Sequence, residues 1–208
     1  MKVIRLALLF ALLACRPGMR AADSVDSRTI FDGPVHLQNG PNIVDLLGDQ
    51  TPAQSFVAWR GNFNAHGYST VSIYLRGQSE FGDSKRDWLV VPRFGGPYDG
   101  DSGREIYTTS EGADCTLGDL RLVQHRRAPA ELIIARRELG ASFADSAPTH
   151  FDYYKLVKNA DGLPGWPLWY FAFIRTVDAR HQYCDVNLAF DAELHLGRHG
   201  LGHGEAAQ

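Results

Sequence analysis

Between residues 43 and 177 the chain alternates apolar and polar side chains in short runs, separated by stretches that hold glycine, proline, asparagine or aspartate. Side chains of an extended strand point to opposite faces in turn, so such runs predict half-buried strands. They fall at residues 43–47, 55–62, 70–75, 88–91, 105–109, 117–125, 131–137, 150–158 and 167–177. Val71, Ile73 and Leu75 alternate with Ser72 and Tyr74, and Trp169, Phe171 and Phe173 form a stripe that predicts core rather than a binding platform. In FVAWRGNFNAHG, Val57 and Trp59 share one face while Phe56, Ala58 and Arg60 share the other. Trp59 is expected in the core, and Asn62, Asn64 and His66 gather where that strand ends, before Gly67. They read either as a hydrogen-bonded turn held by His66 or as a ligand contact.

The period changes only near the end. Asp185 is placed to cap a helix in which Val186, Ala189, Phe190, Glu193 and Leu194 follow helical spacing, and Gly197, Gly200, Gly202 and Gly204 oppose its continuation. Many short strands without alternating helices predict an all-β antiparallel sandwich or barrel with a short C-terminal helix.

The chain has 208 residues, enough for one domain with appendages, and its formal charge of -3 gives no basic footprint for nucleic acid. Met1-Lys2 and Arg5 precede an apolar run at 6–14, the length of a secretory signal core and too short for a membrane anchor. Residues 1–22 are therefore expected to be an export signal. Leu12-Leu13-Ala14-Cys15 resembles a bacterial lipobox, with Cys15 the lipidated residue, and ordinary cleavage near Ala21-Ala22 is the competing reading. Arg16 after the cysteine suggests the outer membrane, so the expected location is the periplasm, with membrane contact only through the lipid. Residues 23–34 read as a flexible tether, 35–196 as the domain and 197–208 as a flexible Gly/His-rich tail. In an oxidising compartment Cys115 and Cys184 are left as a pair and read as a disulfide, against two buried thiols.

Recognisable catalytic motifs are missing: there is no G-x-S-x-G elbow, S-x-x-K pair, H-E-x-x-H helix, Walker loop or H-x-H pair. The residual enzymatic readings are a convergent hydrolase site pairing His66, His150 or His181 with a distant aspartate, and an unrecognised metallohydrolase using the histidines. Asn39, Asn42, Asp45 and Asp49 supply side-chain oxygens for a divalent cation such as calcium, or else for two local turns. No cofactor is otherwise required. His195, His199 and His203 would form a metal-binding stripe only on an unbroken helix, which the glycines oppose. Arg121, His125, Arg126, Arg127, Arg136 and Arg137 read as a solvated sheet edge, with an anion or cell-wall contact as the alternative.

Five phrases, NGPNIVDLLGD, VAWRGNFNAHG, EGADC, FDYYKLVKN and YCDVNLAF, resemble the bacterial carbapenem intrinsic-resistance proteins of the CarG-like family, over about residues 35–196. The resemblance implies an exported antiparallel β-sandwich that forms a homodimer, similar in fold to bacterial inhibitors of invertebrate-type lysozyme. It also implies a non-enzymatic role in protecting the envelope against carbapenem-type β-lactams, by binding or shielding. Cys115 and Cys184 lie in matching phrases, which supports their pairing. Gln50 and Ala53 or Gln54 stand where the family's acidic segment has glycine and an acid, which weakens the cation site. The alternative role is to block the cleft of a cell-wall enzyme with a loop at residues 102–107, which is one residue longer than the inhibitors' Ser-Gly-x-x-Tyr pattern.

Overall fold

A computed structural model describes residues 32–64, 66–78, 86–100, 103–112, 114–197 and 201. Cys15, Ser102, His199 and His203 lie outside them. The strands are β1 Gly33–Pro34, β2 Gly40–Asp45, β3 Pro52–Arg60, β4 Tyr68–Gln78, β5 Arg86–Val90 and β6 Arg93–Phe94, followed by β7 Ile106–Thr108 and β8 Ser110–Glu111. The long strands β9 Thr116–His125, β10 Ala128–Arg137, β11 Thr149–Lys158 and β12 Trp169–Asp178 come next, and α1 Val186–Leu194 closes the order.

They make two sheets. A seven-stranded sheet runs β1-β9-β10-β11-β12-β6 with β8 also on β9, and a five-stranded sheet runs β2-β3-β4-β5 with β7 also on β4. Among the described residues every strand pair except β12 with β6 is antiparallel. The alternation seen in sequence sets the facing surfaces. Val57, Val71, Ile73 and Leu75 from one sheet pack with Leu120, Leu122, Leu132, Leu156 and Phe171 from the other in one buried cluster, joined by Trp169 and Phe173 at its margin. The all-β sandwich and the core role of the β12 stripe therefore hold.

A second cluster lies on the outer face of the seven-stranded sheet, where Val186, Ala189 and Phe190 of α1 cover Val123, Ile133, Ala135 and Phe151. The Asp185 side chain caps the helix at 2.7 Å from Asn187 N. His195 takes the left-handed conformation just past the last helical residue, so it continues no helical stripe. Cys115 and Cys184 are bonded, with Cα atoms 5.6 Å apart, which ties the start of β9 to the start of α1. Closing a loop of about 70 residues is worth about 4 kcal/mol in the chain-entropy model.

Three placements correct the sequence reading. Trp59 is 40% exposed, near the end of β3, and its indole lies over Gly67, where a Cβ would strike the ring. Arg121 and Arg137 are buried and Arg136 is half-buried, because β9 and β10 are interior strands and not edges. The domain also reaches beyond its expected limits: Gly33 and Pro34 pair with β9, Asp32 accepts from Arg126 N at 2.6 Å, and Leu201 joins the main core at 7% exposure.

Candidate functional site

The chain leaves the five-stranded sheet for the seven-stranded sheet twice and returns to the five-stranded sheet between β6 and β7. It passes from β5 to β6, and later from β7 to β8, so each crossing links the five-stranded to the seven-stranded sheet. The excursion between the crossings is closed by paired backbone bonds between Arg93 and Arg104, at 2.8 and 2.9 Å. Beside it lies a cavity of about 560 Å³ lined by Arg93, Tyr98, Asp99, Arg104, Arg136 and Tyr154 among others. That volume suits a small organic molecule.

Each charged group there is positioned by identifiable contacts. Asp99, 2% exposed, accepts from Arg93 Nε at 2.6 Å, Gly96 N at 3.0 Å and the Tyr154 hydroxyl at 3.0 Å. Gly96 is required by this packing, since a Cβ would collide with the Tyr154 hydroxyl and Asp99. Arg136 alternates onto the inner face with Ile134 and Leu132, and it donates to Asp152, which also accepts from Thr176 at 2.6 Å. The Arg136 guanidinium stacks 3.7 Å from the centre of the Tyr98 ring, and Arg104 donates through Nε and Nη2 to the Tyr98 carbonyl at 3.3 Å each.

The electrostatics favour anions. Four arginines, Arg93, Arg104, Arg136 and Arg137, line the cavity with two carboxylates, Asp99 and Asp152. Burial lowers the pKa of Arg136, and the charge of Arg93 adds to that, while Tyr98, Tyr154 and Asp99 oppose it. Burial raises the hydroxyl pKa of Tyr107 and of Tyr154, so both remain protonated donors. A guanidinium is not a proton acceptor near neutrality, and both aspartates are held in ion pairs. Such a set can grip and orient an anionic molecule.

The residues singled out in sequence lie elsewhere. Asn62 Nδ2 donates to His66 O and His66 N donates to Asn64 Oδ1, so the three form a self-bonded turn whose exposed imidazole meets the Phe143 ring at 5.0 Å. Asp45 accepts from the N–H groups of Leu47, Gly48 and Gln50 at 2.8–3.2 Å, and Asp49 accepts from Thr51 N at 2.8 Å. Asn42 bonds Gln38 and Gly40, and Asn39 is exposed. These oxygens face backbone N–H groups, the polarity a cation would oppose. Among the described residues no group of three or more His, Cys, Asp or Glu side chains is placed to hold a metal ion. His150 bonds Asp178 at 2.8 Å and Glu138 at 3.0 Å on the sheet surface. Tyr107 corrects the loop reading: it is fully buried and donates to Val91 O at 2.7 Å, so it cannot enter a partner's cleft.

Sequence reasoning passed over Arg93, Tyr98, Asp99, Asp152 and Tyr154. One signal was present, since Asp152 is in phase with Tyr154 and Leu156 and so places a carboxylate on the core-facing side of β11.

No family model and no curated protein sequence matches the chain. Among solved structures it is similar to the crystal structure of CarG, at 21% identity and a TM-score of 0.60, with 76% of this chain and 94% of that chain covered. The resemblance read from the five phrases thus holds at the level of the fold.

Proposed function

We propose that this is an exported, non-enzymatic envelope protein that protects against carbapenem-type β-lactams by holding or shielding rather than hydrolysing them. The observation that carries this reading is a ligand-sized cavity in a CarG-like sandwich, lined by guanidiniums, ion-paired carboxylates and protonated tyrosines. That chemistry suits reversible binding better than bond cleavage. Lipidation at Cys15, a periplasmic location and a homodimer belong to the same proposal. The outer face of the five-stranded sheet supports the last, because Ile43, Phe56 and Trp88 are exposed there. A second copy laid on that face would remove apolar surface from water.

The test is expression of the full chain in a susceptible bacterium, with survival on a carbapenem and the drug remaining in the medium both measured. Survival with the drug chemically intact is expected. Absence of protection by well-exported protein, or hydrolysis of the drug by the purified protein, would overturn the reading.

A further inference from the structure

Two of the four cavity arginines have carboxylate partners: Arg93 is paired with Asp99 and Arg136 with Asp152. The described contacts of the other two are to carbonyl oxygens, Tyr98 O for Arg104 and Phe143 O and Asp145 O for Arg137. The cavity lining thus carries an excess of positive charge. Tyr98 links two of the cations, offering its ring to Arg136 and its carbonyl to Arg104. A neutral carbonyl at 3.3 Å is a weak acceptor for a guanidinium, and an ionised oxygen replacing it would form shorter, stronger bonds.

The lip of the cavity has the opposite character. Tyr98, Ile106 and Leu139 are 66%, 57% and 72% exposed, and all three line it. An inorganic anion would leave that surface wet, whereas an organic anion would cover it. The planar fork of arginine matches a carboxylate, which accepts two parallel N–H bonds.

We propose that the cavity binds a small organic carboxylate, its carboxylate taken by Arg104 and Arg136 and its apolar part laid against Tyr98, Ile106 and Leu139. This rests on the reading of the molecule as a ligand-holding envelope protein and names the chemistry of what it holds. It also implies that the anion lessens the repulsion between Arg93 and Arg136, so ligand binding and folding stability are coupled.

The test is titration of the purified protein, followed by NMR or calorimetry, with three probes: 4-phenylbutanoate, its neutral amide and inorganic phosphate. The carboxylate is expected to bind at least about tenfold more tightly than the amide, as for loss of a charge-assisted hydrogen bond. Phosphate is expected not to compete at equal concentration. Arg104 is exposed, so Arg104→Gln is expected to keep the thermal unfolding midpoint while weakening carboxylate binding by about tenfold. Equal binding of acid and amide, competition by phosphate, an unaffected Arg104→Gln variant or no binding of any probe would each overturn the proposal. Carbapenem protection that survives Arg104→Gln would overturn this inference and leave the proposed function standing. Carboxylate binding in a protein that gives no protection would do the reverse.

Discussion

The seven-stranded sheet carries two arginine–aspartate pairs on opposite faces, and they are built differently. On the outer face Arg121 and Asp119 are each 3% exposed. Arg121 donates through Nη1 to Asp119 at 3.1 Å and Leu120 O at 2.9 Å, and through Nη2 to Asn187 Oδ1 at 2.7 Å and Gly197 O at 3.2 Å, above the Phe190 ring. On the inner face Arg136 pairs with Asp152, yet its side chain is 28% exposed and looks onto the cavity. In both, Nε–H is buried and unmatched among the described residues, so that feature does not separate them. What separates them is the covering. Arg121 is enclosed by α1 and the chain after it, a structural seal, whereas Arg136 has a tyrosine ring on one side and open volume beyond.

Replacing Arg121 should have the largest effect. Arg121→Met would leave Asp119 buried without its cation, although burial already holds that carboxyl above its usual pKa. Stability should fall by about 3–5 kcal/mol, measured by urea unfolding. Leu201→Ala probes the same seal from the C-terminal side, since the backbone of Leu201 bonds Asp119 and its side chain lies in the main core. A loss of about 2–3 kcal/mol is expected from the lost burial and residual cavity. Arg136→Met should cost less, about 1–2 kcal/mol, because Asp152 keeps the Thr176 bond and lines the cavity. A loss as large as that of Arg121→Met would mean that the two pairs are equivalent after all.

The smallest effect belongs to His150, which faces Arg136 in the β10–β11 register. The hydrogen bond to Asp178 raises its pKa above the ordinary imidazole value, with a further contribution from Glu138. A pKa raised on folding stabilises fully below the unfolded value, about 6.5, and the contribution is lost as pH rises through the folded value. The difference in unfolding midpoint between wild type and His150→Gln should therefore be larger near pH 5.5 than near pH 8.5. An equal difference at both would show that this surface triad contributes no proton-linked stability.

Much of the framework was legible because it rests on local rules. Every alternating run became a strand: residues 131–137 lie within Ala128–Arg137, and residues 150–158 nearly coincide with Thr149–Lys158. The strands that went unseen are Gly33–Pro34, Arg93–Phe94 and Ser110–Glu111, each too short to display a period. The Asp185 cap and the Cys115–Cys184 bond were also anticipated, one from capping chemistry and the other from pairing in an exported chain. The arginine cluster was misread because charge density in a sequence does not say whether a strand is interior or at an edge; that depends on strand order.

The sequence by itself determined which segments extend, where the helix begins and which apolar side chains face inward, because side-chain direction follows from position along a strand. Tertiary structure decided the cavity. Tyr154 meets Asp99 across 55 residues and Arg136 meets Asp152 across 16, distances set by sheet register and by the passage of the chain between the sheets. Those pairings bring dispersed arginines around one volume, and no local pattern records where a long side chain will find its partner.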